Sequence, residues 1–268
     1  MLTKPLALIG LSCALALPAL ADDRGNSSRC SGLPSYSQLK AALIAATNTE
    51  GSGLNMNMWG TVVDRDGVVC AVAFTGVNRG AQWPGSRVIS AQKANTANAF
   101  SLDATAVSGS NGKALAFSTA NLFSAVQPGG SLFGLQESNP VDTNVAYDGP
   151  SSNYGTSSDP MVGSKIGGVN VFGGGLALYD RTHQIIGGLG VSGDTSCADH
   201  FIAWRTRNNL SLDYLAGAIP GPASLFAGDG AHPDNIIFDI GANGSATGFG
   251  HPTCFNQTTD PKSLPAVR

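Results

Sequence analysis

The sequence predicts an α/β (α+β) fold in which a largely antiparallel sheet is covered by helices. Two observations carry this. Helical and strand-like segments follow one another in the order helix, hairpin, helix, hairpin, helix. Both strand pairs are joined by short turns, which make antiparallel neighbours and disfavour a doubly wound nucleotide fold. The first helix spans Ser35 to Ala46: Leu39, Ala42, Leu43 and Ala46 recur at helical spacing behind Pro34, and Ser35 can cap the first turn. Asn55 to Val63 and Val68 to Phe74 are rich in β-branched and apolar residues, with Asp64-Arg65-Asp66-Gly67 as turn chemistry between them. Ser86 to Leu102 is Ala-rich, with Val88, Ala91 and Ala94 along one face and Ser86 as its cap. The second hairpin pairs Gly174 to Tyr179 with Gln184 to Val191 across Asp180-Arg181-Thr182-His183, and the last helix runs from about Cys197 to Asn208.

Between Asp103 and Val169 the chain is dominated by Gly, Ser, Asn, Thr and Pro. One apolar-rich piece, Ala114 to Val126, reads as helical, and Pro140 to Ser164 reads as a long surface insertion. Beyond Ser211 the sequence is again Gly/Pro-rich, with a strand-like piece at Asn235 to Ile240, and is expected to be a tail packed on the surface. The expected organisation is therefore residues 33–212 as one domain, with 103–170 as a loop-rich insertion, followed by an irregular extension over 213–268.

Residues 1–21 have the pattern of a cleavable signal peptide: Lys4, an apolar run from Leu6 to Leu17, then Ala19-Leu20-Ala21. That run is too short to span a bilayer, and no other stretch could do so. The expected address is periplasmic or secreted. The formal charge is −3 and no Lys/Arg cluster occurs, which excludes the electrostatic footprint of a nucleic-acid binder. Cys30, Cys70, Cys197 and Cys254 remain after cleavage, an even number in a chain bound for an oxidising compartment. Of the three possible connectivities, Cys30–Cys254 and Cys70–Cys197 are favoured, the first tying two loose tails together. Thiolate metal ligation lacks any C-x-x-C pair.

Three segments together resemble the GlcG/HbpS-like haem-binding family, whose fold also forms the C-terminal domain of PduO-type proteins. They are residues 60–67 with the strand that follows, residues 90–97, and Gly174-Gly175-Leu176-Ala177-Leu178 leading to residues 186–193, with Asp199 placed next in the last helix. The resemblance covers roughly residues 33–210, with a longer stretch between Phe100 and Gly174 than is usual in that family. It implies a profilin-like domain with a five-stranded antiparallel sheet, homo-oligomerisation, and binding of haem or a related tetrapyrrole for sensing, storage or scavenging.

A haem site needs an axial donor, an apolar slot, and cations or main-chain N–H groups for the propionates. His200, beside a Gly-rich turn, is the first candidate for metal ligation; His183 sits at a hairpin tip, and His232 and His251 each precede Pro in the tail. Lys93 and Arg87 on the second helix, and Arg205 and Arg207 on the last, are candidate cations, though each also suits a surface position. Gly193, with Ser192 and Asp194, allows close backbone approach ahead of a helix N-terminus. Met56 and Met58 share one strand face and suit a core. No G-x-S-x-G elbow or H-E-x-x-H motif occurs, and no spacing of Ser, His and Asp singles out a triad, so an enzyme acting on a small organic molecule and a ligand-free interaction module both remain open.

Overall fold

The computed structural model describes residues 29–103, 115–216 and 220–268; the segment expected to direct export lies outside them. Helix α1 (Tyr36–Thr47) starts at Ser35, whose side chain accepts from the Gln38 N–H while Gln38 reaches back to the Ser35 N–H. Strands β1 (Trp59–Asp64) and β2 (Val69–Phe74) form the first hairpin. Asp64 closes its turn by accepting from the N–H groups of Asp66 and Val68, and Gly67 takes the left-handed conformation there (φ +80°). Helix α2 (Ser86–Phe100) follows, with Gly85 rather than Ser86 at the cap position. Strands β3 (Gly175–Tyr179) and β4 (Ile185–Ser192) form the second hairpin, and helix α3 (Ser196–Asn209) is capped by Thr195.

The sheet is antiparallel with order β2-β1-β4-β3, so it has four strands among the described residues where five were expected. Both edges are met by irregular chain instead of a fifth strand: Val68 bridges to Lys165 beside β2, and Tyr179 to Asp213 beside β3. Helices α1 and α3 pack on each other and cover one face, where Leu39, Leu43, Val62, Leu189, Val191 and Phe201 share a core. Helix α2 covers the other face, where Val88, Ala91 and Ala94 meet Trp59, Val63 and Phe74. Gly188, Gly190 and Gly193 stand at G-x-G-x-x-G spacing, and their use is packing on an antiparallel strand. A Cβ on Gly188 would lie 2.3 Å from the Ala94 carbonyl oxygen, and one on Gly190 only 1.9 Å from that of Ser90. Bare strand under small helix residues is what lets α2 settle directly onto β4.

The two irregular regions are more deeply embedded than their composition suggests. The piece expected to be helical resolves into two 3-10 turns, Thr119–Leu122 and Ser124–Val126. Within the expected surface insertion, Asp159 and Met161 are buried, and Asp159 forms an ion pair with Arg87 of α2. The tail is likewise not merely laid on the surface. Asp234, Asn235 and His251 are buried, and Asn235 to Ile240 is irregular apart from a two-residue ladder of Ile240–Gly241 with Gly244–Ser245.

Both expected disulfides are corrected: the bonds are Cys30–Cys70 and Cys197–Cys254. Cys70 lies on edge strand β2, and Cys197 lies at the start of α3. Helix α1 packs on both β2 and α3, separating the two cysteines. The chain before α1 turns back over β2, and the tail crosses the start of α3, so each cysteine meets the nearer partner. The bonds close separations of 40 and 57 residues, worth about 4 kcal/mol each in the chain-entropy limit.

Candidate functional site

Three cavities line up around the N-terminal end of α2. The first, about 500 Å³, lies between α1 and the insertion, with Tyr36, Lys40, Phe74, Arg79 and Tyr154 in its wall. The second, about 230 Å³, shares Arg79 and Tyr154 with it and adds Trp59, Arg87 and Tyr147. The third, about 210 Å³, meets the second at Gly85 and is lined by Trp83, Ile89, Lys93, Phe172, Ser196 and Asp199, among others. Together they make a groove with aromatic walls. Trp59 stacks on Phe74 with ring centroids 4.5 Å apart, and Trp83, Tyr147 and Phe172 are each about half exposed along it. Two further cavities, about 550 and 500 Å³, lie against the extension. The second of these carries Asp229, Asp239 and Asp260 in its wall, which disfavours an anionic ligand.

The candidate site residues fall in different places. Arg87 lines the second cavity, but its donors are committed: Nε donates to Asp159 Oδ2 at 2.9 Å, Nη2 pairs with Asp159 Oδ1, and Nη1 donates to the Ala146 carbonyl at 2.7 Å. Its guanidinium lies 3.6 Å over the Tyr154 ring and so holds the wall of the groove in shape. Lys93 lines the third cavity and donates to Asp199 at 2.7 Å and to the Val191 carbonyl at 3.0 Å. Burial pushes the Lys93 ammonium down and the Asp199 carboxyl up, and each charge is held by the other. Gly193 adjoins the same cavity between Ser192 and Asp194. It is bare because a Cβ would lie 2.4 Å from the Asn57 carbonyl oxygen.

His200 lies fully buried in α3, facing the extension. Its Nε2 meets Asn235 Oδ1 at 3.1 Å and the Ile236 N–H at 3.2 Å, and its Nδ1 has no hydrogen-bond partner among the described residues. Burial pushes it down to about 4, so it is neutral at pH 7. None of the five cavities is lined by a histidine. His232 is held by Asp229 and the Leu264 carbonyl, and His183 Nδ1 by the Tyr214 carbonyl. Arg207 is buried in a pair with Asp234, and Arg205 pairs with Glu50.

Sequence reasoning missed Arg79, Tyr147 and Tyr154, which shape the groove. Arg79 opens a single 3-10 turn and the two tyrosines sit in irregular chain, so no periodicity marks any of the three as facing the groove.

A family model described as haem-degrading protein HbpS-like matches residues 37–206. The chain belongs to the HbpS-like family. Among solved structures, it is similar to the Klebsiella pneumoniae protein ORFY at 26% identity, over 66% of this chain and 88% of that one, with a TM-score of 0.41. A PduOC–heme complex aligns at 22% identity over 65% of this chain and 89% of that one, with a TM-score of 0.41. A double mutant of Streptomyces reticuli HbpS aligns at 14% identity over 77% of this chain and 96% of that one, with a TM-score of 0.37. No curated protein matches. The HbpS-like match stops short of the extension, which sets residues 207–268 apart from what the family accounts for.

Proposed function

We propose that this HbpS-like protein is an exported haem-binding protein that senses, carries or scavenges haem, taking the ring into the groove around the start of α2. The observation that carries the reading is family membership over residues 37–206 combined with a groove of aromatic walls on that same segment. Tyr147 and Tyr154 offer aromatic surface to a flat macrocycle, backed by the buried Trp59–Phe74 stack, and Arg79 and Lys40 offer cations to its carboxylates. The groove holds no imidazole, so the reading assigns no axial role to His200. A bound haem would supply the iron and the visible chromophore; the chain supplies the slot and the counter-charges. Export is supported by the signal-like residues 1–21 and by two disulfides, which persist in oxidising compartments. Among the described residues, no helix is long and apolar enough to cross a membrane. Homo-oligomerisation, implied by the resemblance, belongs to the same reading and is checked by light scattering on the eluted protein.

Titrating the purified mature chain with hemin tests the binding. A saturable Soret shift at micromolar hemin is expected, Arg79→Ala should weaken the affinity several-fold, and His200→Gln should leave the band position unchanged. Absence of any Soret shift would overturn the proposal, and a displaced band in His200→Gln would move the site away from the groove.

A further inference from the structure

We propose that Ser196 and His251 form a nucleophile–base pair that makes this protein a hydrolase of small acyl esters. Ser196 is the first residue of α3, is part-exposed, and lines the 210 Å³ cavity. Its Oγ lies 2.8 Å from His251 Nε2. His251 Nδ1 lies 2.7 Å from the Pro252 carbonyl oxygen, which can only accept, so Nδ1 carries the ring proton. Nε2 is then left with a lone pair, and the hydrogen between the two residues comes from Ser196. This is the relation a serine nucleophile needs: a base within hydrogen-bond reach, itself oriented by a third group. The Gly173 N–H donates to Ser196 Oγ at 2.6 Å, and the Phe123 ring packs against the imidazole with centroids 4.8 Å apart, so both partners are held in place. Burial, helped by the nearby Lys93 charge, pushes His251 down to about 4, so the imidazole is neutral at pH 7.

The cavity in front of Ser196, with His251 buried behind the serine, suits the reaction. Trp83, Ile89 and Phe172 give apolar walls, and the volume admits an acyl chain of a few carbons. The Lys93 ammonium, paired with Asp199, lies in the same wall and contributes positive potential to the cavity. Ser196 Oγ would bond to the acyl carbon as its proton passes to His251 Nε2. The C–O bond to the alcohol then breaks, and that proton leaves with the alcohol. Water, deprotonated by His251, releases the acid and returns the proton to Ser196, so ester and water give acid and alcohol.

The staple between the two segments supports the assignment. Cys197 follows Ser196 directly and Cys254 lies three residues beyond His251, so the Cys197–Cys254 bond fastens the base beside the nucleophile. His251 lies beyond the HbpS-like match, so the pair is built from a family segment and an added one. The proposal does not depend on haem: failure of hemin to bind leaves it standing.

The test uses the oxidised mature protein with a small alkyl fluorophosphonate, read by intact mass and peptide mapping, and with p-nitrophenyl acetate for turnover. A single adduct on Ser196 is expected. Ser196→Ala should abolish it and lower turnover about 100-fold or more, and His251→Gln should do the same. Reducing the disulfide under native conditions should slow labelling, and p-nitrophenyl octanoate should be a poorer substrate than the acetate. Thermal melts accompany both variants. If His251→Gln unfolds, Ser196→Ala decides the matter. No adduct on Ser196, or wild-type ester turnover in Ser196→Ala, would overturn the proposal.

Discussion

Within the sheet, burial follows a simple period: Val62, Leu189 and Val191 point to the face under α1 and α3, while Trp59 and Val63 point to the face under α2. In the extension, from residue 220 onward, Ile236, Leu264 and Val267 join the core that Phe201 and Trp204 of α3 share, and buried polar pairs add to that contact. Arg207 of α3 donates to both carboxylate oxygens of Asp234 at 2.6 and 2.8 Å, with both side chains fully buried. Trp204 Nε1 donates to the Pro265 carbonyl at 2.9 Å, and the Ile236 N–H meets His200 Nε2 at 3.2 Å. The sheet is thus secured by apolar area, which tolerates small changes in proportion to volume lost. The extension adds to its apolar contacts a set of buried polar pairs, which fail sharply when one partner goes. The two regions should therefore respond differently to comparable lesions.

The largest effect is expected from Asp234→Ala. It leaves the Arg207 guanidinium buried without its carboxylate, a loss of about 3–5 kcal/mol. Arg207 also lies over the Trp204 ring and donates to the Ala177 carbonyl of β3, so the damage should reach the edge of the sheet. Denaturant unfolding of the variant measures the loss. The double change Arg207→Met with Asp234→Leu should recover most of it, because the pair is expensive to break rather than intrinsically strong. If the single variant loses under 1 kcal/mol, the extension is not held in this way.

A second, smaller effect comes from pH. Burial holds both His200 and His251 down at about 4 in the folded chain, against about 6.5 in the unfolded one. Between those values the unfolded chain binds protons that the folded chain does not, so stability is complete above pH 6.5 and is lost as pH falls toward 4. Asp199, raised by burial to about 6, works in the opposite sense, since the folded chain then holds the extra proton below that pH. Two histidines against one carboxyl leave a net acid loss on the order of 3 kcal/mol by pH 4.5. Melts at pH 7, 5.5 and 4.5 should fall in that order, and His200→Asn should flatten the trend. Hydrogen exchange should show the amides near Ile236 opening while β1 and β4 stay protected. A flat or rising melting temperature on acidification would contradict the burial of these rings.

The same contrast explains what could be read from the sequence. Helix α1 was legible because Leu39, Leu43 and Ala46 lie on one stripe behind a capping Ser35, and both hairpins because Asp64 to Gly67 and Asp180 to His183 are local turn chemistry. Such signals need only a few neighbouring residues. The cysteine pairing was not legible, since it depends on which face the tail crosses. Lys93 lines a cavity, but its partner Asp199 is 106 residues away in the chain. The partnership of Ser196 with His251 spans 55 residues and joins the α3 start to a loop without periodicity. The antiparallel sheet has one strand fewer than expected among the described residues, and irregular chain that composition does not announce lies along its edges.

The smallest effect sharpens the comparison from the sheet side. Ser35→Ala removes half of the capping box at α1, where Ser35 Oγ accepts from the Gln38 N–H and Gln38 Oε1 accepts from the Ser35 N–H. The cost of losing such a cap is about 1 kcal/mol, which lowers the melting temperature of a domain of this size by about 2–4 °C. Helix α1 keeps Leu39 and Leu43 in the core, so the loss should fray its first turn and go no further. Exchange at Tyr36 to Gln38 should rise, while amides near Ile236 and His251 keep their protection. If those distant amides open as well, α1 and the extension unfold as one cooperative unit through α3, and the separation between an apolar sheet region and a polar-stitched extension breaks down.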